Sequence, residues 1–306
     1  MPKVLIATVK PFAKAAVDQI KSVFDSAGYE YNFLEKYAGE EDLINAVQDV
    51  DAMIIRSDKV TPAVIDAAKN LKIVVRAGAG YDNVNLEAAT AKGVTVMNTP
   101  GQNSNAVAEL VLGMMVFQYR NHFNGTSGHE LKGKTIGIHA YGNVGKNVAR
   151  IAKGFGMEVV AFDPFVPKEA IEADGVKVFD KVEDMYASCD FVSLHIPANQ
   201  HTIKSINHKL LSIMKDNAVL VNTARKEVID EDDLVKIFEE KEGFQYISDI
   251  APDNKSEIAE KFEGRFFFTP KKMGAQTAEA NINAGKAAAN QIIAFIEKGD
   301  ATFKVN

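Results

Sequence analysis

The sequence predicts an α/β protein of two domains, each a doubly wound parallel sheet, and three observations carry that expectation. Short apolar, β-branched runs alternate with segments of helical spacing, the rhythm of βαβ units rather than of a sandwich or a bundle. The runs are almost uninterrupted in apolar character, as in strands covered on both faces. A length of 306 residues exceeds one ordinary core and falls short of three, at roughly 100 to 200 residues per domain.

In the first third the predicted strands are 4–7, 52–55, 73–75 and 94–97, punctuated by Asp51, Asn70 and Gly93. Residues 103–120 read as a helix buried nearly all round, with Ala106, Val107, Leu110, Val111, Met114 and Phe117 at helical spacing. Such a helix between two α/β blocks predicts an interdomain spine or a subunit interface. The polar, glycine-bearing stretch 121–133 reads as a linker. A second series follows, with strands predicted at 136–139, 158–162, 191–195, 218–222, 246–249 and 266–268. An Ala-rich helix is predicted over 277–297, and the apolar stretch 301–305 is expected to return to the first domain.

With 46% hydrophobic and 25% charged residues the chain has the makeup of an average globular protein, which excludes disorder. A net charge of −6 supplies no overall field for nucleic acid or anionic lipid, so an anionic ligand must be held by local geometry. One cysteine, Cys189, forbids an internal disulfide and fits a reducing compartment, so a cytoplasmic location is expected. The N-terminal residues lack a secretory pattern, and the longest apolar run, 110–117, is far below the ~20 residues that span a bilayer. The six histidines show no metal-ligand spacing, so no metal is expected.

After the strand ending at His139 come Ala140, Tyr141, Gly142, Asn143, Val144 and Gly145, a G-x-G-x-x-G pattern with alanine in the first slot. A dinucleotide needs a tight strand-to-helix turn, a bare backbone where pyrophosphate approaches, and a small residue where helix meets strand. Gly142 and Gly145 meet the last two needs, and Ala140 meets the first if its φ is negative. The anion is then met by free N–H groups and the positive end of the helix dipole. The next strand ends in Asp163, 23 positions after Ala140, near the ~20-residue spacing at which a carboxylate accepts from the adenosine ribose hydroxyls. That carboxylate would repel a 2′-phosphate, so NAD is expected over NADP.

Ligands of an open parallel sheet lie at the carboxyl ends of its strands, so polar residues just after each apolar run are the site candidates. In the second block these are His195 with Ile196 and Pro197, Thr223 with Ala224 and Arg225, Asp249, and the pair Lys271 and Lys272. In the first they are Lys10, Arg56 with Ser57 and Lys59, and Arg76 with Gly78 and Ala79. Arg225 follows a buried strand, and a guanidinium grips a carboxylate with two parallel hydrogen bonds while polarising an adjacent carbonyl. Oxidation of a hydroxy acid also needs a base for the hydroxyl proton. Lys272 is the best-placed nitrogen, since neighbouring cations and exclusion of water favour a neutral amine. Alone, a Lys-Lys pair before Gly274 is an ordinary solvated loop, and an arginine after a strand an ordinary surface ion pair. Convergence on one sheet edge weighs against that. His195 reads as a structural or cofactor-lining histidine and Cys189 as a small core filler.

The segments Arg56-Ser57-Asp58-Lys59, 76–84, 98–101 with 107–109, the glycine turn, Asn222-Thr223-Ala224-Arg225 with 228–230, and Thr269-Pro270 with 274–277 together resemble the D-isomer-specific 2-hydroxyacid dehydrogenases, over essentially the whole chain. The resemblance implies two Rossmann-like domains with a cleft between them: a substrate domain of residues 1–99 and 283–306, and an NAD domain of residues 100–282. It implies homodimers packing through the nucleotide domain and the 103–120 helix. It assigns the substrate-orienting arginine to Arg225, the pyrophosphate turn to Asn143 and Val144, the ribose carboxylate to Asp163, and an acidic residue near the nicotinamide to Asp249. Ala79, His195, Ile196, Pro197, Thr223, Ala224, Gly274 and Ala275 are expected to line the cofactor. Arg56, Ser57, Lys59, Arg76, Gly78, Ala79 and Asn103 are expected to line the substrate.

Two positions depart from the family pattern. The catalytic histidine stands two residues before the glycine matched by Gly274, where this chain has Lys272, and the partner glutamate five residues after Asp249 is matched by Asn254. Asp253 takes that place only if the loop is shifted. A histidine needs a carboxylate to fix its tautomer, whereas an amine has none to fix, so the two losses are mutually consistent. A short, lysine-bearing subgroup of the family is similar, down to the Lys-Lys-Met-Gly stretch. Lys10, Arg56, Lys59 and Arg76 bring more positive charge than a lactate-sized acid requires. The resemblance, together with that charge, implies as the expected reaction NAD-dependent oxidation of 3-phospho-D-glycerate to 3-phosphohydroxypyruvate, the first step toward serine. Glyoxylate or hydroxypyruvate reduction, and a catalytically silent NAD(H)-sensing protein, are the alternatives.

Overall fold

The continuous apolar runs become the central strands of two parallel sheets in the computed structural model, which describes residues 1–306. The sheets belong to separate units, Met1–Asn103 with Gln276–Asn306, and Ser104–Ala275.

In the first unit β1 (Lys3–Thr8), β2 (Glu30–Glu35), β3 (Ala52–Ile55), β4 (Ile73–Arg76) and β5 (Thr95–Asn98) stand in the order β2-β1-β3-β4-β5, all parallel. The crossovers are helices α1 (Lys14–Ala27), α2 (Glu40–Val47), α3 (Pro62–Ala67) and α4 (Leu86–Ala91). Ala16, Ile20 and Phe24 repeat every four residues and give α1 its buried face. Gly28 stops the helix at φ 71, a left-handed turn that glycine adopts freely. The chain runs from β1 outward to β2 and returns on the other side to β3. The switch point therefore lies between the loops that carry Lys10 and Arg56–Lys59.

The second unit holds β6 (Thr135–His139), β7 (Glu158–Phe162), β8 (Lys177–Val178), β9 (Phe191–Leu194), β10 (Val219–Asn222), β11 (Gln245–Ser248) and β12 (Phe266–Phe268), in the order β12-β11-β10-β9-β6-β7-β8. Its helices are α5 (Ser104–Tyr119), α6 (Asn143–Gly154), α7 (Lys168–Glu172), α8 (Val182–Ser188), α9 (His208–Leu211), α10 (Glu231–Glu240) and α11 (Lys255–Lys261). Here the switch point falls between β6 and β9. Each unit carries an apolar core on both faces of its sheet.

The last helix, α12 (Ala278–Lys298), lies on the first sheet, where Ala284, Ala288, Ala289 and Ile292 pack with Phe12, Ala16, Ile20 and Phe24. The tail returns to the same unit: Val305 N–H donates to the Val96 carbonyl at 2.9 Å, and Lys304 bridges Met97 in antiparallel fashion.

The compact units divide at Asn103/Ser104 and Ala275/Gln276, beside the domain bounds 99/100 and 282/283 that the resemblance implies. Helix α5 packs on α6, and α12, capped by Thr277, packs on α1. Two expectations need correction. The stretch 121–133 is no linker between units. It folds back on the end of α5, His129 N–H donating to the Tyr119 carbonyl at 2.7 Å, with Gly128 where a side chain would collide with that carbonyl. Nor is α5 buried all round, since Asn105, Glu109 and Gly113 form an exposed stripe opposite the packed Ala108, Val111, Leu112 and Met115. No helix is long and apolar enough to cross a membrane.

Candidate active site and cofactor turn

The turn after β6 lies beside the switch point of the second sheet, where an open sheet leaves a crevice. Ala140 there has φ 80, a left-handed conformation that costs an L-residue roughly 1–2 kcal/mol. The condition of a negative φ is therefore not met, and Ala140 makes the turn in a left-handed conformation. Neighbours hold the residue in place: Ala140 N–H donates to the Phe162 carbonyl at 3.0 Å, and Tyr141 N–H to Asp163 Oδ2 at 2.7 Å. Gly142 caps α6 in extended backbone, and a Cβ there would meet nothing within 4 Å. Gly145 is the opposite case. Its Cβ would collide with the Ala140 carbonyl and lie 2.9 Å from Ile138 Cγ2, so helix and strand are in contact through bare backbone.

Asn143 and Val144 open α6, and as first-turn N–H groups they lack intrahelical acceptors and carry the positive end of the dipole. Asp163 Oδ1 accepts from Phe165 N–H at 2.8 Å and Val166 N–H at 3.1 Å. With Tyr141 on Oδ2, three of the carboxylate's roughly four acceptor positions are used, and one on Oδ2 is left for a sugar hydroxyl. Bare glycine, anion-ready helix end and half-buried carboxylate fit a dinucleotide.

His139 and His195 stand side by side at the ends of β6 and β9, His195 N–H donating to the His139 carbonyl at 2.9 Å. His139 Nδ1 pairs with the Tyr186 hydroxyl and His195 Nε2 with the Ser193 hydroxyl, each at 3.0 Å. Burial pushes His139 down to about 4, and burial with the neighbouring His139 pushes His195 down to about 3. Both are neutral hydrogen-bonding groups at neutral pH, not acids. Ile196 is buried beyond them, and exposed Pro197 accepts from the Thr202 hydroxyl.

Arg225 follows β10 in a turn closed by Asn222, whose Oδ1 accepts the Ala224 N–H and whose Nδ2 donates to the Arg225 carbonyl, both at 2.9 Å. The half-buried guanidinium donates to the Ala224 carbonyl at 3.0 Å and makes no salt bridge. Beside it the Thr223 hydroxyl oxygen is buried without a partner. Asp249, 1% exposed, reaches from the end of β11 to the loop after β12. Its Oδ1 accepts Met273 N–H at 2.6 Å and the Thr269 hydroxyl at 3.0 Å, and its Oδ2 accepts Gly274 N–H at 2.8 Å. Lys271 and Lys272 are exposed within that loop, ahead of buried Gly274 and half-buried Ala275. Three adjacent parallel strands thus bring Arg225, Asp249 and the lysine pair to one sheet edge.

Asn254 does not offer its side chain as a glutamate would. Its Nδ2 donates to the Glu231 carbonyl at 2.9 Å and its Oδ1 is buried without a partner. Asp253 is exposed and paired with Lys226 at 2.5 Å. Glu231, unnoticed in the sequence, accepts the N–H groups of Asp253 at 2.8 Å and Asn254 at 3.3 Å, and burial holds its carboxyl above the ordinary range. Its only signal is the acidic first turn that follows the N-cap Asp230.

At the switch point of the first sheet, the Arg56 guanidinium donates to the carbonyls of Lys10 at 3.1 Å and Pro11 at 3.3 Å and to Asn281 Oδ1, and lies 5.0 Å over the Phe12 ring. Burial lowers its pKa. Buried Asp58 organises the loop, accepting from Val9 N–H at 2.7 Å, the Tyr37 hydroxyl at 2.8 Å and Arg56 N–H at 3.2 Å. Arg76 Nε donates to the Arg56 carbonyl at 2.9 Å, and its guanidinium occupies the space that a Cβ on Gly78 would need. Exposed Ala79 accepts from Asn98 Nδ2 at 2.6 Å. Lys10, Ser57 and Lys59 share a cleft of about 380 Å³ with Tyr37, Glu40 and Asp58. Arg56, Arg76, Gly78 and Asn103 do not line it. No group of three or more His, Cys, Asp or Glu is placed to hold a metal ion.

Residues 111–266 match the family described as D-isomer specific 2-hydroxyacid dehydrogenase, NAD binding domain. The D-3-phosphoglycerate dehydrogenase of Methanocaldococcus jannaschii is 36% identical over 272 residues, which are 83% of this chain and 51% of that protein. The hydroxypyruvate reductase of Thermotoga maritima is 36% identical over 219 residues, 67% of this chain and 70% of that one. The crystal structure of NAD+-bound 3-phosphoglycerate dehydrogenase from Entamoeba histolytica matches with a TM-score of 0.89 at 45% identity, covering 100% of this chain and 98% of that one. The chain belongs to the D-isomer-specific 2-hydroxyacid dehydrogenase family. It spans about half the length of the archaeal phosphoglycerate dehydrogenase it matches. The matched residues 111–266 lie within the second unit, which therefore carries the family's NAD-binding domain.

Proposed function

We propose that this chain oxidises 3-phospho-D-glycerate to 3-phosphohydroxypyruvate with NAD as the hydride acceptor, and that it does so with lysine in place of the family's histidine. The observation that carries this reading is the sheet edge of the second unit. A half-buried guanidinium without a counter-ion, Arg225, and the Lys272 loop leave the strands on either side of β11 there, beyond the dinucleotide turn. Arg225 holds the substrate carboxylate through paired hydrogen bonds and polarises the C2 oxygen. The Lys272 amine takes the hydroxyl proton as hydride leaves C2, and returns it in reverse. The first unit serves as the substrate domain, Arg56 with Ser57, Lys59 and Arg76 holding the phosphate. The names of the archaeal and Entamoeba relatives support that substrate. The chain works as a homodimer through α5, along which Ala106, Leu110 and Val116 stay only half-buried.

Lys272→Ala is expected to abolish turnover, followed as NADH absorbance, while NAD titration shows unchanged binding. Near-normal turnover removes Lys272 from the mechanism. The hydroxypyruvate reductase relative favours a second reading, reduction of an unphosphorylated keto acid. Arg56→Ala separates the two. Loss of a charged hydrogen bond, about 1.5–3 kcal/mol, lowers kcat/KM roughly 10- to 100-fold for the phosphorylated substrate alone. An equal loss on hydroxypyruvate favours the second reading.

A further inference from the structure

We infer that Asp58, together with Tyr37, is a positioning residue for the substrate phosphate: it locks the loops after β1, β2 and β3 into one platform bearing Lys10, Arg56 and Lys59, and so sets the preference for a phosphorylated acid. The inference deepens the substrate reading proposed above and rests on it.

The three strands are neighbours in the order β2-β1-β3, so their carboxyl ends deliver three separate loops to one side of the first sheet. Asp58 ties all three. It is 5% exposed, and its Oδ1 accepts Val9 N–H from the first loop at 2.7 Å and the Tyr37 hydroxyl from the second at 2.8 Å. Its Oδ2 accepts Arg56 N–H, within its own loop, at 3.2 Å. Val9 directly precedes Lys10, and Asp58 lies between Arg56 and Lys59, so each tie fixes backbone from which a cationic side chain starts. Other buried groups hold the same platform. The Thr8 hydroxyl donates to the Lys10 carbonyl at 2.7 Å, and Asn83 Nδ2 donates to the carbonyls of Asp58 at 2.7 Å and Arg56 at 3.2 Å. The chain reaches Tyr37 through Lys36 at φ 54, a left-handed conformation that persists only where the surroundings impose it. Burial, and after it the Asp58 carboxylate, keeps the Tyr37 hydroxyl protonated well above the ordinary range, so it donates at any working pH.

The three donors on Asp58 are uncharged. The carboxylate therefore orders the loops without pairing with Lys10 or Lys59, neither of which makes a salt bridge. Both ammonium groups face the cleft of about 380 Å³, and Glu40 on its wall is engaged by the Thr61 hydroxyl. Asp58 is itself an anion and repels a phosphate. Its favourable effect on phosphate binding runs through the backbone it holds.

The test uses the full chain as Tyr37→Phe and Asp58→Asn, with NADH-dependent reduction of 3-phosphohydroxypyruvate and of hydroxypyruvate, which lacks only the phosphoryl group, as readouts. Tyr37→Phe keeps the ring and the carboxylate charge and removes one tie. It is expected to raise KM for 3-phosphohydroxypyruvate about 3- to 10-fold, the worth of one hydrogen bond, at unchanged kcat and NADH affinity. Asp58→Asn sets an amide N–H against a backbone N–H and is expected to raise the same KM about 10- to 100-fold. In both variants the kinetics with hydroxypyruvate stay as in the parent. The sign separates positioning from charge, because removing an anion beside a phosphate lowers KM when no loop moves. A lowered or unchanged KM in Asp58→Asn overturns the inference, and so do equal losses on the two keto acids, the mark of a merely structural role. Equal losses in Arg56→Ala overturn the phosphate reading itself, a separate result. Should Asp58→Asn fail to fold, Tyr37→Phe decides alone, and an unchanged KM for 3-phosphohydroxypyruvate there overturns the inference.

Discussion

At the scale of single residues, Ala140 shows how a motif can be met at a local cost. The turn demands a positive φ and the sequence supplies a Cβ, at φ 80. Glycine would relieve roughly 1–2 kcal/mol of strain and lose part of it to greater freedom in the unfolded chain. Ala140→Gly is expected to stabilise the protein by about 0.5–1 kcal/mol, read as a higher urea midpoint at unchanged m-value. The neighbouring histidines make a second prediction. Their folded pKa values, about 4 for His139 and about 3 for His195, lie below the ordinary 6.5. The unfolded chain therefore binds protons that the folded chain refuses, and stability is complete above pH 6.5 and falls as pH drops toward 4. The loss is on the order of 2 kcal/mol per histidine near pH 5, at about 1.4 kcal/mol per pH unit. Urea unfolding at pH 7 and pH 5 measures it, and His139→Asn is expected to show a shallower pH dependence. An equal slope in that variant would remove the histidine from the effect.

At the scale of elements, packing of small residues sets the seat of α12 on α1. Ala288 and Ala289 are fully buried, and a Cβ on Gly285 would come 2.9 Å from Ile20 Cδ1. Ala288→Leu is expected to destabilise by about 1–3 kcal/mol through overpacking, lowering the melting temperature, whereas exposed Glu279→Leu should change it little. This level is also where the sequence was most and least legible. Central strands such as β3 and β4 are apolar on both faces and read directly as runs. The edge strand β2 alternates exposed and half-buried residues, and β8 is two residues long, so neither produces a run. The loops proposed to carry the chemistry were singled out for the same reason as the central strands, since Arg225 and Lys272 closely follow apolar runs. The ties between those loops were not. Asp249 to Gly274 and Glu231 to Asp253 join a carboxylate to backbone N–H groups more than twenty residues away, and no side-chain pattern marks a backbone donor.

At the scale of the molecule, the cofactor and the stability of each unit are separable. The chain crosses between units only at Asn103/Ser104 and Ala275/Gln276, and each unit buries its own two-faced core. The glycine turn, Asp163, His195 and Arg225 all belong to the second unit. A ligand stabilises what binds it by RT ln(1 + [L]/Kd), about 2.7 kcal/mol at one hundred times Kd. Saturating NAD is therefore expected to slow amide exchange in β6, β9 and β10 and the first turn of α6, by up to about 100-fold where exchange follows opening of the whole unit. Amides of β1, β3 and α12 in the first unit should exchange at unchanged rates. Hydrogen exchange followed by mass spectrometry measures both sets at once. Equal slowing in the two sets would mean that the units open as one cooperative block, and protection confined to the first unit would place the dinucleotide there instead.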